Sequence, residues 1–171
     1  MKLPQPSADY DAGNEAQTRA ALEREDARNL KRSSGTWKPT LFGTTTAGAP
    51  TYVLQEGFWT RTDDVIIAWF RVQISAIGGM VGNLGIGGSL PVSSVTPGSG
   101  TGGVNGGGFF SQIDGLTHQA GRTEWGLQMR SGAADALVTE FGSATASTVQ
   151  TIANTAAATV LSGVLIYKAR L

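Results

Sequence analysis

From Thr36 onward, apolar residues recur at every second position along much of the chain. That is the period of a β-strand with one buried and one wet side. In "DVIIAWFRVQIS", 64–75, Ile66, Ala68, Phe70, Val72 and Ile74 share one face, and Trp69, Arg71, Gln73 and Ser75 share the other. The preceding "TYVLQEGFWTRT" is also strand-like, and Asp63 and Asp64 between the two predict a tight turn. Residues 51–76 therefore read as one long hairpin. "NLGIGGSLP" alternates Leu84, Ile86 and Leu90 and stops at Pro91, while "TEWGLQMR" alternates Trp125, Leu127 and Met129. "VLSGVLIYKA", 160–169, predicts an apolar final strand. Residues 142–159 are small and polar, and read as irregular strands or an extended cover. The stretch 92–108, "VSSVTPGSGTGGVNGGG", disfavours regular structure and predicts a flexible loop.

Residues 1–35 break this pattern. They carry twelve of the 26 charges, six of each sign. "KLPQPSADY" reads as an extended lead-in, because its two prolines cannot continue a helix. "NEAQTRAALEREDARNLKR", 14–32, predicts a helix with Asn14 as N-cap, Glu15 in the first turn, and Lys31 and Arg32 in the last. Glu15 and Arg19 form a favourable i,i+4 pair, and Ser33, Ser34 and Gly35 are expected to stop the helix. Its apolar face is thin: Ala16, Ala20, Ala27 and Leu30 fall roughly on one side and Leu22 elsewhere. Such a helix is marginal alone in water. It reads either as a frayed surface helix or as one that needs company, from copies of itself or from a docking surface on another protein. The expected division is an attachment segment, 1–35, and an all-β unit, 36–171.

Composition narrows the class. A chain of 171 residues suits one domain with a short appendage. Its 40% apolar content can fill a core, whereas charged residues are only 15% and glycines number 24, as in a turn-rich β protein. The formal net charge of zero gives no general attraction for nucleic acid or an anionic membrane. The absence of cysteine excludes disulfides, thiolate metal sites and cysteine nucleophiles. "MKLPQPSADY" has no apolar h-region, so no signal peptide is expected, and no run reaches the ~20 apolar residues of a membrane span.

Several of these stretches resemble a pattern common in tailed-bacteriophage and prophage tail fibres and other virion appendage proteins. In that pattern G-T-W-x-P-x-L precedes a T-Y-x-x-Q-x-G hairpin and a long apolar strand, as in "GTWKPTLFGTTTAGAPTYVLQEGFWTRTDDVIIAWFRVQI". "GNLGIGGSLP" is similar to its G-N-L-x-I-x-G-L-P, with one extra residue before Leu90, and "LSGVLIYKA" to its closing S-G-x-x-x-Y strand. The opening 32 residues also resemble the starts of prophage tail-fibre-like proteins. The resemblance covers 1–91 and 160–169. It implies an antiparallel β-sandwich head, jelly-roll-like, preceded by one helix and usually assembled as a homotrimer. Residues 1–35, with Asn14, Ala16, Ala20, Ala27 and Leu30, would join other virion proteins of tail, baseplate or capsid. The implied location is the virion, assembled in the bacterial cytoplasm. The implied role is a short tail fibre, spike or tail-tip appendage that binds a host-surface glycan or protein. The alternatives are a capsid decoration or head-fibre protein without receptor role, and a glycan-degrading appendage.

Candidate chemistry is sparse, and no catalysis, cofactor or metal is expected. His118 is the sole histidine, and no glycine elbow surrounds a serine that it might serve. "GSGTGG", 98–103, fits G-x-G-x-x-G but opens no helix, so it offers no phosphate cradle. Glycosidase chemistry needs two separated carboxylates in a cleft, for which Asp114, Glu124, Asp135 and Glu140 are merely present. Trp37, Trp59, Trp69, Trp125, Tyr52 and Tyr167 could stack on sugar rings. For Trp59 and Trp69, packing in the core or at a subunit interface is the stronger expectation. Trp125 follows the polar "HQAGRTE" and is the best outward candidate, which gives an expected receptor face of Trp125, Asp114, Arg122 and Glu124. The loop 92–108 is expected either at the exposed tip, near this face and away from the helix, or as a passive linker.

Overall fold

The computed structural model describes residues 12–29, 32–90, 106–130, 132–142 and 145–169. One helix, α1 (Ala12–Asn29), precedes ten strands: β1 (Arg32–Trp37), β2 (Pro39–Gly43), β3 (Thr51–Thr62), β4 (Val65–Ala76), β5 (Leu84–Gly88), β6 (Gly106–Leu116), β7 (Glu124–Met129), β8 (Ala136–Gly142), β9 (Thr145–Val149) and β10 (Thr155–Lys168). All pair antiparallel in the order β1-β3-β4-β10-β6-β7-β8-β5-β2, with β9 added to β8. The fold is all-β and nearly closed, between a barrel and a sandwich.

The expected hairpin is β3–β4. Its register joins Thr62 to Val65, leaving Asp63 and Asp64 as a two-residue turn. Asp63 takes a φ of 55°, a conformation that aspartate tolerates better than most residues with a Cβ. The turn is fastened by an Arg61 Nε–H bond to the Asp63 carbonyl, 2.8 Å, and an Ala169 N–H bond to the Asp64 carbonyl, 2.6 Å. On β4, Ile66, Ala68, Phe70, Val72 and Ile74 are all buried, as their alternation predicts. They meet Leu84, Ile86, Leu127, Met129, Val138, Leu161, Leu165 and Tyr167 in one core. Each aliphatic side chain so buried contributes roughly 1.5–3 kcal/mol.

Closure depends on a switch at Lys38. β1 pairs with β3, and the same stretch of chain then continues as β2 and pairs with β5 at the other end of the strand order. The seam between β2 and β3 is closed by side chains. The Tyr52 hydroxyl accepts from Leu41 N–H at 2.9 Å and donates to Leu41 C=O at 3.2 Å, and Gln55 Nε2 donates to Pro39 C=O at 2.9 Å. Trp37, 3% exposed, lies beneath the switch with its Nε1–H on the Trp69 carbonyl, 3.0 Å.

Four expectations are corrected. Asn14, expected as the N-cap, lies inside the first turn of α1. Arg32, expected in the last helical turn, begins β1, because its backbone pairs with Thr62, so the sheet starts upstream of Thr36. Ser33, Ser34 and Gly35 are strand residues. Of the stretch 92–108, residues 106–108 belong to β6, and 92–105 lie outside the described residues. Within 142–159, of the two readings offered, irregular strands rather than an extended cover are found: β9 and the start of β10, separated by a short 3-10 turn (Ile152–Asn154).

Candidate functional site

Register rows show which features share an end of the sheet. Ser33, Arg61, Ile66, Tyr167 and Gly106 lie in one row, at the end where α1 joins β1. At the opposite end Leu116 pairs with Thr155, Glu124 with Phe141, and Thr51 with Ala76. β6 therefore starts at the helix end and runs away from it. The glycine-rich stretch was expected beside the 114–124 segment, away from the helix; its residues 92–105 lie outside the described residues, and Gly106, its first described residue, stands in the row at the helix end.

The far end is built by the connection 117–123 between β6 and β7. Its backbone is tied to two neighbours, Thr117 N–H to Asn154 C=O at 3.0 Å and Thr123 N–H to Phe141 C=O at 2.9 Å, and to itself through Arg122 N–H to Gln119 C=O at 3.0 Å. Side chains add two further ties, from Gln150 Nε2 to Thr117 C=O and from Gln119 Nε2 to Val149 C=O, both 3.1 Å. Gly121, φ 77°, lets the turn press onto Gly142, where a Cβ would come within 2.0 Å of the Gly121 carbonyl.

Inside this connection sits a buried carboxylate. Glu140 shares the core-facing side of β8 with Ala136 and Val138 and is fully buried. Its Oε1 accepts from Gln119 N–H at 3.1 Å and lies 3.2 Å from His118 Nδ1, while Oε2 has no hydrogen-bond partner among the described residues. The His118 ring stacks on Trp125, the cross-strand neighbour of Glu140, with centroids 4.1 Å apart and 19° between planes. A buried ion is tolerated only when hydrogen bonds compensate its lost hydration. Here the carboxylate fixes the turn and the imidazole.

The expected receptor residues divide accordingly. Trp125 is half-buried against the core with one face under His118, which corrects its reading as the outward aromatic. Glu124 is exposed beside it and Arg122 half-buried in the turn. Asp114 is exposed on β6, accepts from Gln112 Nε2 at 2.7 Å and pairs with Val160 of β10, whereas Glu124 and Trp125 pair with β8. Asp135 forms an ion pair with Arg130, whose guanidinium also lies 5.7 Å from the Phe42 ring centre. That hydrogen bond holds the Arg130 pKa above its ordinary value. Trp37 and Tyr167 are core residues, Trp59 is half-buried, and Trp69 is exposed and stacked on Phe58. On α1, Ala16 is exposed and Ala20 half-buried, while Leu30 and the side chains of Asn14 and Ala27 lie outside the description.

Sequence reading missed the joining of His118 to Glu140. The residues are far apart in the chain, and the parity of "ALVTEFG" is ambiguous, with Ala136 and Val138 on the side of Glu140 but Leu137 and Phe141 on the other, so no local signal placed Glu140 in the core. Among the described residues, no three of His, Asp and Glu gather to hold a metal, and no helix is long and apolar enough to cross a membrane.

No family model and no curated protein matches the chain. Among solved structures, the crystal structure of the Dettilon tailspike protein (gp208) has the same fold, with a TM-score of 0.58 and 15% identity over 81% of this chain. The match takes in 24% of the tailspike chain. At this identity the likeness is one of fold.

Proposed function

We propose that the chain is a bacteriophage virion appendage protein: a short tail fibre, spike or tail-tip component. It attaches through its N-terminal segment, presents the β head outward, and assembles as a homotrimer. The observation that carries this reading is the fold shared with a tailspike over 81% of the chain. The polarity of the head supports it. α1 enters at one end, where its described side chains are exposed or half-buried, and the rigidly tied 117–123 connection caps the other. That far end, with Glu124 and Arg122 at its surface, is the face we assign to host glycan or protein. The role is binding and assembly without catalysis, and host polysaccharide incubated with the protein is expected to stay uncleaved.

The test is a chain beginning at Arg32, which keeps all of β1. It is expected to fold and to be missing from purified particles, whereas the full chain is recovered on them. Recovery of the shortened chain at normal copy number would overturn attachment through the N-terminal segment.

A further inference from the structure

The sheet order ends at β1 and β2, with β9 a further edge beside β8. The sheet's outer face offers something else. Along one register row stand Thr36 of β1, Phe58 of β3, Trp69 of β4, Val164 of β10 and Phe109 of β6. These positions have the parity opposite to the core residues Ala68, Phe70 and Leu165. Phe58 is 46% exposed, Trp69 44% and Phe109 60%, while Val164 between the last two is buried. The adjoining row adds Ile67 and Ile166, and Val65 extends it. Large apolar side chains grouped this way mark an interaction surface, whereas scattered ones do not.

We propose that this outer face of β3, β4, β10 and β6 is where copies of the chain meet. The inference rests on the reading of the chain as an assembling appendage and names the surface that does it. Three observations select a second copy as occupant. First, the size fits. Four strands about 4.8 Å apart, over six residue steps of about 3.4 Å, give roughly 300 Å² at the backbone. That is the scale of the apolar centre of an interface using about 800 Å² per partner. Second, the margins suit self-association. Glu56 and Arg71 flank the aromatic row on one side, and the Asp64–Lys168 ion pair flanks it on the other. Each margin carries both signs, so a rotated copy finds opposite charge, and a chain of zero net charge does not repel itself. Third, β3, β4 and β10 are each hydrogen-bonded on both sides along this row, and β6 is bonded to β10. A partner on this face therefore engages side chains. Beside Glu56, Phe58, Trp69 and Arg71 lies a shallow hollow of about 320 Å³, able to take one large side chain from a neighbour.

The test is the mass of the full chain in solution by light scattering at tens of micromolar, with far-ultraviolet circular dichroism as the check on folding. The wild type is expected at three times its 17.7 kDa. Trp69→Lys and Phe109→Ser, each exposed and outside the core, are expected to stay folded and to weaken association at least tenfold. Val53→Ser, an exposed apolar position away from these rows, is expected to leave the mass unchanged. A wild type that is monomeric overturns the proposal, and so do folded Trp69→Lys and Phe109→Ser variants that assemble like the wild type. If one of the two unfolds, the other decides. Neither outcome touches the particle-recovery result, so failure of the surface and failure of the appendage reading are separable.

Discussion

The imidazole of His118 lies flat on the indole of Trp125, 4.1 Å between centroids, while its Nδ1 reaches the buried Oε1 of Glu140 at 3.2 Å. One carboxylate thus positions a turn and an aromatic pair together. Glu140→Ala removes the acceptor for both His118 and the Gln119 N–H, and is expected to cost about 2–4 kcal/mol in urea unfolding. Glu140→Gln keeps a carbonyl oxygen for the Gln119 N–H and is expected to cost about half as much. Equal losses for the two variants would show that the hydrogen bonds do not carry the effect.

His118→Ala removes a ring stack and one hydrogen bond, for an expected loss of about 1–2 kcal/mol. Because His118 and Glu140 touch, the double variant His118→Ala/Glu140→Ala is expected to lose less than the sum of the singles. Strict additivity in the same denaturation series would mean that the two side chains act independently.

Gly57 and Trp37 predict a larger local effect. They are cross-strand partners, and a Cβ on Gly57 would sit 2.4 Å from Trp37 Nε1. Gly57→Ala must displace a buried indole and its hydrogen bond to Trp69 C=O. A loss of about 2–4 kcal/mol is expected, in the range of overpacked cores. Thermal melting checks it, and an unchanged midpoint would be the contrary result.

Strands were legible where packing dictated the residue types. The inward positions of β4 are apolar along its length while its outward ones turn polar from Arg71 to Ser75, and Asp63 and Asp64 supply the turn that its hairpin needs. β1 was not legible. "RSSGTW" buries only Trp37, so its strand character comes from backbone pairing with β3, and its basic start reads as a helix end. The switch at Lys38 is likewise a tertiary event with no local signature. At the far end, the polar run "HQAGRTE" lies in the connection from β6 and the first residue of β7. The same polarity misdirected the reading of Trp125, because a histidine within that run covers the indole. The outward parity of Trp69 was visible in the alternation, whereas its apolar neighbours Val164 and Phe109 come from β10 and β6, strands whose pairing the sequence does not announce.

The seam between β2 and β3 gives a prediction in pH. The Tyr52 hydroxyl both accepts from and donates to the backbone of Leu41, itself 2% exposed. Burial raises the Tyr52 pKa, and the hydrogen bond from the Leu41 backbone opposes this only in part. The folded chain thus holds the phenolic proton more tightly than the unfolded chain, whose tyrosine titrates near pH 10. Below about pH 10 both states keep the proton and the contribution to stability is complete. As pH rises from there toward the raised folded pKa, the unfolded state ionises first and is favoured, so the contribution declines. Urea unfolding at pH 8 and at pH 11 is expected to show this decline in the wild type and a smaller one in Tyr52→Phe. At pH 8 the variant is expected to be less stable by about 1–3 kcal/mol, since the Leu41 N–H and C=O lose their shared partner. Matching declines in the two proteins would assign the alkaline sensitivity to other groups and leave the seam without a role in it.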